Sequence, residues 1–248
     1  MSLTTIILPY FKKGFFVEQT IQSIIEQTNQ NFEIIIVDDE LSDQSFKIMD
    51  KLKKIDQRIN IIVNDKNVGA GLSRNNAIKF AKGNFIAFCD CDDLWDKHKL
   101  EKQIKFMSNN NIDFSFTAYN IIDETGKIIS SKAANSEMSF KKLVSSCDIG
   151  LSTVIIKKDL FEKFNNFFPD LKTKEDYVLW LNLSKNGVKM YGINENLVSW
   201  RKSKNSLSSS SIQKIFDGYK VYRHHLKYSI LKSLKCLLIL SLNFVFRK

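Results

Sequence analysis

Residues 84–95 read NFIAFCDCDDLW, an apolar run that breaks into two cysteines and three aspartates. A continuous apolar stretch at 84–89, bounded by Gly83 and by acids, predicts a strand buried on both faces. Strand alternation puts Cys89 and Cys91 on one face and Asp90 and Asp92 on the other. The two sets imply different chemistry. Thiolates suit zinc, which takes about four ligands. Carboxylates suit a hard cation such as Mg²⁺ or Mn²⁺. No other Cys or His pair has ligand spacing, since Cys147, Cys236, His98, His224 and His225 are scattered. The cysteines are therefore read as packing, and Asp93 as an N-cap candidate for the helix that follows.

Outward from this stretch the first half alternates strand and helix signals. Residues 4–8, 32–37 and 59–63 read as strands, and 16–28, 42–54, 71–82 and 96–109 as helices, with Gly83 as the C′ glycine of the third. Apolar strands alternating with helices predict an α/β fold around a mostly parallel sheet covered on both faces. The second half is mixed. A strand pair turns at Glu124-Thr125-Gly126, and helices near 139–145 and 158–165 flank a strand at 151–156. A helix at 175–186 ends at Gly187, and two strands surround Asn194-Glu195-Asn196. Residues 206–211 read as a Ser-rich hinge, and 212–246 as one long helical pattern. The expected organisation is a catalytic domain over 1–205, with a nucleotide-binding half at 1–110 and an acceptor half at 111–205, then a tail over 206–248.

The net charge of +10 is unevenly placed. Residues 201–248 hold 11 of the 37 Lys and Arg but one of the 27 Asp and Glu, which leaves the first 200 residues balanced at 26 each. A nucleic-acid protein carries its basicity on the folded face, so no nucleic-acid partner is expected. Residues 230–246 are apolar but interrupted by Lys232 and Lys235, and the uninterrupted part is short of the ~20 residues of a membrane span. The preferred reading is a basic amphipathic helix lying on an anionic membrane surface. The alternative is a helix packed on the catalytic domain or on a second subunit, as in a homodimer. The cysteine pattern forms no secreted disulfide framework, and the N-terminus lacks a signal-peptide pattern. A cytoplasmic protein, peripheral on the inner face of the cell membrane, is expected.

In open α/β sheets, ligands bind beyond the carboxyl ends of the strands. Strand one ends in Pro9-Tyr10-Phe11, strand two in Asp38-Asp39, and strand four in Asp90-Cys91-Asp92-Asp93. No Gly-rich phosphate loop is present. A cation on the rim carboxylates would then carry the phosphate charge. With these residues the chain resembles family 2 glycosyltransferases of the GT-A (Rossmann-like) fold. The resemblance rests on IILPYF (6–11), QTIQSIIEQTNQNFEIIIVDDELSD (19–43), NVGAGLSRNNAIKFAKGNFIAFCDCDDLW (67–95), KEDYVLWLNLSKNG (174–187) and WRKSKNSLSSS (200–210). It covers roughly residues 3–211 and looks closest to enzymes of bacterial cell-surface polysaccharides, of teichuronic-acid or O-antigen type.

The resemblance implies a role for each matching residue. Asp39 would read the base, with Pro9 and Phe11 lining its pocket and Arg74 near the nucleotide. Asp90 would face the ribose, and Asp92, with Asp90, would ligate Mn²⁺ or Mg²⁺ on the diphosphate. Asp176 would be the general base, with Glu175 beside it to position the acceptor or hold the loop. Arg201 would close a basic loop over the diphosphate. The implied activity is inverting, metal-dependent transfer of one sugar from a nucleotide-sugar donor, expected to be a UDP-sugar, to a glycan acceptor. A lipid-linked acceptor would make membrane docking useful. No QxxRW motif of polymer-forming relatives is present, Leu41 stands where the pattern has serine, and Phe11-Lys12 departs from the usual opening. Rival readings are a sugar-nucleotide-binding or nucleotidyltransferase-like protein of the same architecture, and an Asp-x-Asp phosphatase.

Overall fold

The computed structural model describes residues 2–165, 167–203 and 211–246. The first half runs β1 (Thr4–Tyr10), α1 (Gly14–Ile25), β2 (Phe32–Asp38), α2 (Asp43–Lys53), β3 (Ile59–Val63), α3 (Ala70–Phe80) and β4 (Phe85–Phe88). These elements follow the expected alternation within three residues at every boundary. Then come β5 (Leu94–Trp95), α4 (Lys99–Asn109), β6 (Phe114–Ile122), β7 (Ile128–Lys132), β8 (Glu137–Met138), α5 (Phe140–Ser145), a 3₁₀ turn at Leu151–Thr153 and β9 (Ile155–Lys157). The chain continues through α6 (Asp159–Lys163), α7 (Glu175–Lys185), β10 (Met190–Arg201), α8 (Ser211–Lys220), a π turn at Val221–His225 and α9 (Ile230–Phe246).

One sheet carries the molecule, in the order β3-β2-β1-β4-β9-β6-β10-β5, with β7 on β6 and β8 on β10. The pairings β3–β2, β2–β1 and β1–β4 are parallel, while β9 runs antiparallel to both β4 and β6. The parallel strands are apolar on both faces because both faces are covered. Ile6, Leu8, Ile34 and Ile36 point into a core shared with α1, α2 and α4. Ile7, Ile35 and Val37 point into the opposite core, which is shared with α3, α7 and the tail. Parallel strands deliver their carboxyl ends to one rim, and Tyr10 pairs there with Asp38.

Four expectations need correction. Asn194-Glu195-Asn196 is not a turn: β10 runs through it, and shifts in register against β6 absorb the extra residues. The strand expected at 151–156 begins as the 3₁₀ turn. The helical pattern at 212–246 is broken by the π turn and by Lys227, which has φ +56°. Gly83 is not a left-handed helix cap. Helix α3 ends at Ala81 in extended backbone, and Gly83 is needed because a Cβ there would lie 2.5 Å from the Thr5 nitrogen and 2.8 Å from the Leu3 oxygen. Most of the Ser-rich hinge, 206–210, lies outside the described residues.

The tail packs on the catalytic domain along one face and is open along the other. Ser233 and Leu240 of α9 are buried, Cys236 and Leu237 pack on the core, and Asn243 donates to the Ser145 carbonyl at 2.8 Å. The other face is open: Leu231 is 82% exposed and Leu238 60%. Among the described residues, no helix is long and apolar enough to cross a membrane.

The close approach at Gly83 yields a stability prediction. Gly83→Ala forces backbone apart between β1 and β4 and should cost about 1–3 kcal/mol, read as a lower urea midpoint with an unchanged slope. An unchanged midpoint would reject the contact.

Candidate active site

The acidic loop after β4 is built from below by hydrogen bonds. Asp93 is 1% exposed, accepts from the Ser152 hydroxyl at 2.5 Å and from the Arg201 N–H at 2.9 Å, and does not cap α4. Ser152 also accepts from the Asp90 N–H at 3.0 Å. Burial holds the Asp93 carboxyl well above the usual range, with Asp92 and Asp90 adding to the effect. Cys89 and Cys91 face the opposite side as free, buried thiols, and burial pushes both upward. Cys91 donates to the Pro9 carbonyl and so ties the loop to the end of β1.

Asp90 and Asp92 face the rim, and each carries its own cation. Arg74 donates to Asp90 Oδ1 at 2.7 Å. Lys13, at the start of α1, donates to Asp92 Oδ2 at 2.5 Å and to the Ser203 hydroxyl at 3.4 Å. Burial raises the Asp92 carboxyl, and the charge of Asp90 adds to this, while Lys13 opposes it.

The Arg74 guanidinium has a second partner: it donates to Glu175 Oε1 at 2.8 Å. Its side chain is 3% exposed, so it joins the β4 loop to the N-terminus of α7 from below. Helix α3 approaches α7 closely because residue 71 is glycine; a Cβ there would lie 3.0 Å from Glu175 Cγ and 3.2 Å from the Pro169 carbonyl. Asn75 seals the approach by exchanging hydrogen bonds with the Phe168 backbone. Asp176 follows Glu175 and accepts from the Tyr177 N–H at 2.7 Å. Burial pushes its carboxyl up to about 7, with the neighbouring Glu175 charge in the same direction and Arg74 opposing. Lys174, just before this pair, has φ +65°, a left-handed conformation that non-glycine residues seldom adopt.

The base-pocket candidates lie at the other end of the rim. Asp39 is 2% exposed and accepts from Asn64 Nδ2, the Val68 N–H and the Gly69 N–H, each at 2.8 Å. It thereby shapes the β3–α3 loop, and it keeps one further acceptor position, since a carboxylate offers about four. Phe11 is 40% exposed and Pro9 partly buried beside it. Glu40 accepts from the Lys12 N–H at 2.8 Å and joins this turn to the β2–α2 loop.

Arg201 is brought to the site but stands behind it. It is 3% exposed, donates from Nε to the Asp92 carbonyl at 2.8 Å, and spends its remaining groups on the carbonyls of Asp123 and Glu124 and on Gln19. It braces the acidic loop from the protein side. Sequence reasoning missed four residues: Lys13, Asn64, Ser152 and Tyr177. Tyr177 donates to the Leu143 carbonyl at 2.6 Å and meets the Tyr222 hydroxyl at 3.1 Å. Thr173 donates twice to the buried Asp217 of α8. The tail thus clamps the segment that carries Asp176. Dense polar residues on α3, with Ser73, Arg74, Asn75 and Asn76 in a row, were the one signal available for the Asn64 network.

The donor set on the rim is all oxygen, as a hard cation requires. Among the described residues, no group of three or more His, Cys, Asp or Glu could hold a metal by itself. The rim carboxylates Asp90 and Asp92 would suit an ion such as Mg²⁺ or Mn²⁺, which takes one or two carboxylates and completes its shell from substrate phosphates and water.

Comparison with known proteins agrees with this architecture. A family model described as Glycosyl transferase family 2 matches residues 5–164. TuaG of Bacillus subtilis, a putative teichuronic acid biosynthesis glycosyltransferase, is 32% identical over 98% of this chain and 96% of its own length. WfgD of Escherichia coli, a UDP-Glc:α-D-GlcNAc-diphosphoundecaprenol β-1,3-glucosyltransferase, is 36% identical over 86% of this chain and 82% of its own. Among solved structures, S. aureus TarS 1-349 in complex with UDP-GlcNAc superposes with a TM-score of 0.74 at 20% identity, over 98% of this chain and 73% of that one. The likeness therefore extends from the sheet through the tail, and the chain belongs to glycosyltransferase family 2 as an enzyme of the GT-A fold.

Proposed function

We propose that the enzyme transfers one sugar per binding event from a UDP-sugar to a hydroxyl of a growing cell-surface glycan, with inversion and with the help of Mn²⁺ or Mg²⁺. The observation that carries this reading is the buried Arg74, hydrogen-bonded to Asp90 on one side and Glu175 on the other. It brings a donor-side carboxylate pair and an acceptor-side carboxylate to one rim. The UDP-GlcNAc in the TarS complex and the UDP-glucose in the name of WfgD support a uridine donor.

Asp39 keeps an acceptor position for a base N–H, with Phe11 as an exposed apolar wall. Asp92 and Asp90 would hold the cation, which supplies charge to a departing diphosphate. Asp176 takes the proton from the acceptor hydroxyl as that oxygen attacks the anomeric carbon. A carboxyl raised to about 7 suits this task, because it is a stronger base than an ordinary aspartate yet still ionises near neutrality. One base facing the leaving group across the sugar gives a single displacement, hence inversion. Glu175, tied to Arg74, fixes the start of α7 and so the place of its neighbour.

The exposed face of α9, with Lys232 and Lys235 among Leu231, Leu234 and Leu238, supports docking on an anionic membrane. The diphosphoundecaprenol acceptor named for WfgD supports a lipid-linked acceptor here.

Four outcomes are expected. Asp92→Ala should lose metal-dependent UDP binding in calorimetry, whereas Asp176→Asn should bind the donor normally and turn over at least about 10²-fold more slowly; normal turnover in Asp176→Asn would reject the base. The rate should climb with pH through about 7 as Asp176 ionises. The same raised acid binds its proton more tightly in the folded state, so its ionisation lowers stability from about pH 4 to about 7. Asp176→Asn should therefore melt higher than wild type at pH 8, with the gap shrinking as pH falls towards 4. Finally, Leu231→Gln with Leu238→Gln should leave donor binding intact and abolish sedimentation with phosphatidylglycerol vesicles. Unchanged sedimentation would refute membrane docking, and a dimer that dissociates in this variant would assign the face to a second copy.

A further inference from the structure

The contact between Lys13 and Asp92 assigns a role beyond the family chemistry: we infer that Lys13 is a tethered counter-cation that holds the metal's place on Asp92 in the donor-free enzyme and passes to the donor diphosphate as the metal arrives. This inference rests on the reading of Asp92 as a metal ligand.

The geometry is specific. The Lys13 ammonium lies 2.5 Å from Asp92 Oδ2, and the Asp92 side chain is only 11% exposed. A carboxylate so shielded needs a partner charge, because burying an unpaired ion is costly. Among the described residues, no nearer cation serves it. Arg74 is committed to Asp90 and Glu175, and the Arg201 guanidinium meets the Asp92 carbonyl rather than its carboxylate. A divalent ion seeking Asp92 Oδ2 meets an oxygen already taken. Two positive groups cannot share it closely without repulsion, so the ammonium must move.

Lys13 is able to move. Its side chain is 25% exposed, and its second contact, to the Ser203 hydroxyl, is long at 3.4 Å. Its role at the start of α1 uses only its backbone carbonyl, which accepts from Phe16 and Val17, and its side chain makes no capping bond. A lysine on a flexible stem is well suited to follow charge from one anion to another. An arriving diphosphate is the stronger attractor, and the exchange replaces one cation on Asp92 by another while the ammonium meets phosphate oxygens. The acidic loop is never left as an uncompensated cluster. Metal and donor are thereby expected to bind as a coupled pair.

The test is a titration of Mn²⁺ alone, followed by electron paramagnetic resonance of the free ion, and of UDP alone, followed by calorimetry. Lys13→Gln should bind Mn²⁺ at least about five-fold tighter than wild type and UDP without metal more weakly. Lys13→Arg, which keeps the charge, should show no gain for Mn²⁺. Lys12→Gln removes the same charge from an exposed neighbour and should give a smaller gain than Lys13→Gln. A merely structural lysine would not improve metal binding on removal. If Asp92→Ala abolishes Mn²⁺ binding but Lys13→Gln binds no tighter than Lys12→Gln, the inference fails and the metal assignment stands. If Mn²⁺ binding is the same in Asp92→Ala as in wild type, or is absent from wild type and Lys13→Gln alike, both fail.

Discussion

The site depends on one buried guanidinium. Arg74 is almost wholly removed from water, and its two hydrogen-bonded carboxylates, Asp90 and Glu175, come from segments 85 residues apart in sequence. Desolvation disfavours its charge, but Asp90 and Glu175 more than compensate, so that the guanidinium is held more firmly charged than usual. Removing either carboxylate would leave a buried charge short of a partner, which is where such pairs become costly. The geometry of the rim is thus tied to the integrity of the core beneath it. One direction of the guanidinium, its Nε–H, has no hydrogen-bond partner among the described residues, which leaves the two carboxylates as its main anchors.

Around this centre the protein distributes charge with care. Three aspartates in four residues would repel one another if left alone. Each instead has a separate answer: Arg74 for Asp90, Lys13 for Asp92, and for Asp93 the Ser152 hydroxyl with the Arg201 N–H. Asp176 is set apart from these three: among the described residues, no cation is in direct contact with its carboxylate. It accepts from the Tyr177 N–H, and burial, with the neighbouring Glu175 charge, raises its proton affinity. Acids with different surroundings take different tasks, and pKa values pushed apart by environment are the usual sign of divided roles.

The tail has a packed side and an open side. Tyr222 and Asp217 grip the segment around Thr173 and Tyr177, while α9 presents apolar side chains outward. The exposed face of α9 therefore belongs to a tail whose α8 and π turn are hydrogen-bonded to the segment that carries Asp176. A truncation at 226 would strip Ser233, Cys236, Leu237 and Leu240 from the core as well as remove the exposed face. Point substitutions on the outer face separate these effects; truncation does not.

Much of the fold was legible in the sequence because its signals are local. Isoleucine-rich runs make strands, helical spacing makes the covering layers, and parallel strands align their carboxyl ends on one rim, which is why Asp39, Asp90 and Asp92 could be singled out from the chain; Asp176, on a helix, was reached only through the family resemblance. What each does to its neighbours was not legible. Strand alternation separates Cys89 from Asp90, yet it cannot say that Lys13 reaches Asp92, that Lys99 is buried over the Trp95 ring with its amine pushed down to about 7, or that Arg201 faces inward. Those facts depend on contacts between residues far apart in sequence, and long side chains such as lysine and arginine can bury their stems while choosing among several partners. Gly71 and Gly83 make the same point. The sequence by itself placed Gly71 at the start of a helix and Gly83 between a helix and a strand. Only the tertiary structure decided that each glycine admits another segment's atoms within about 3 Å, because that space is defined by the neighbour and not by the glycine.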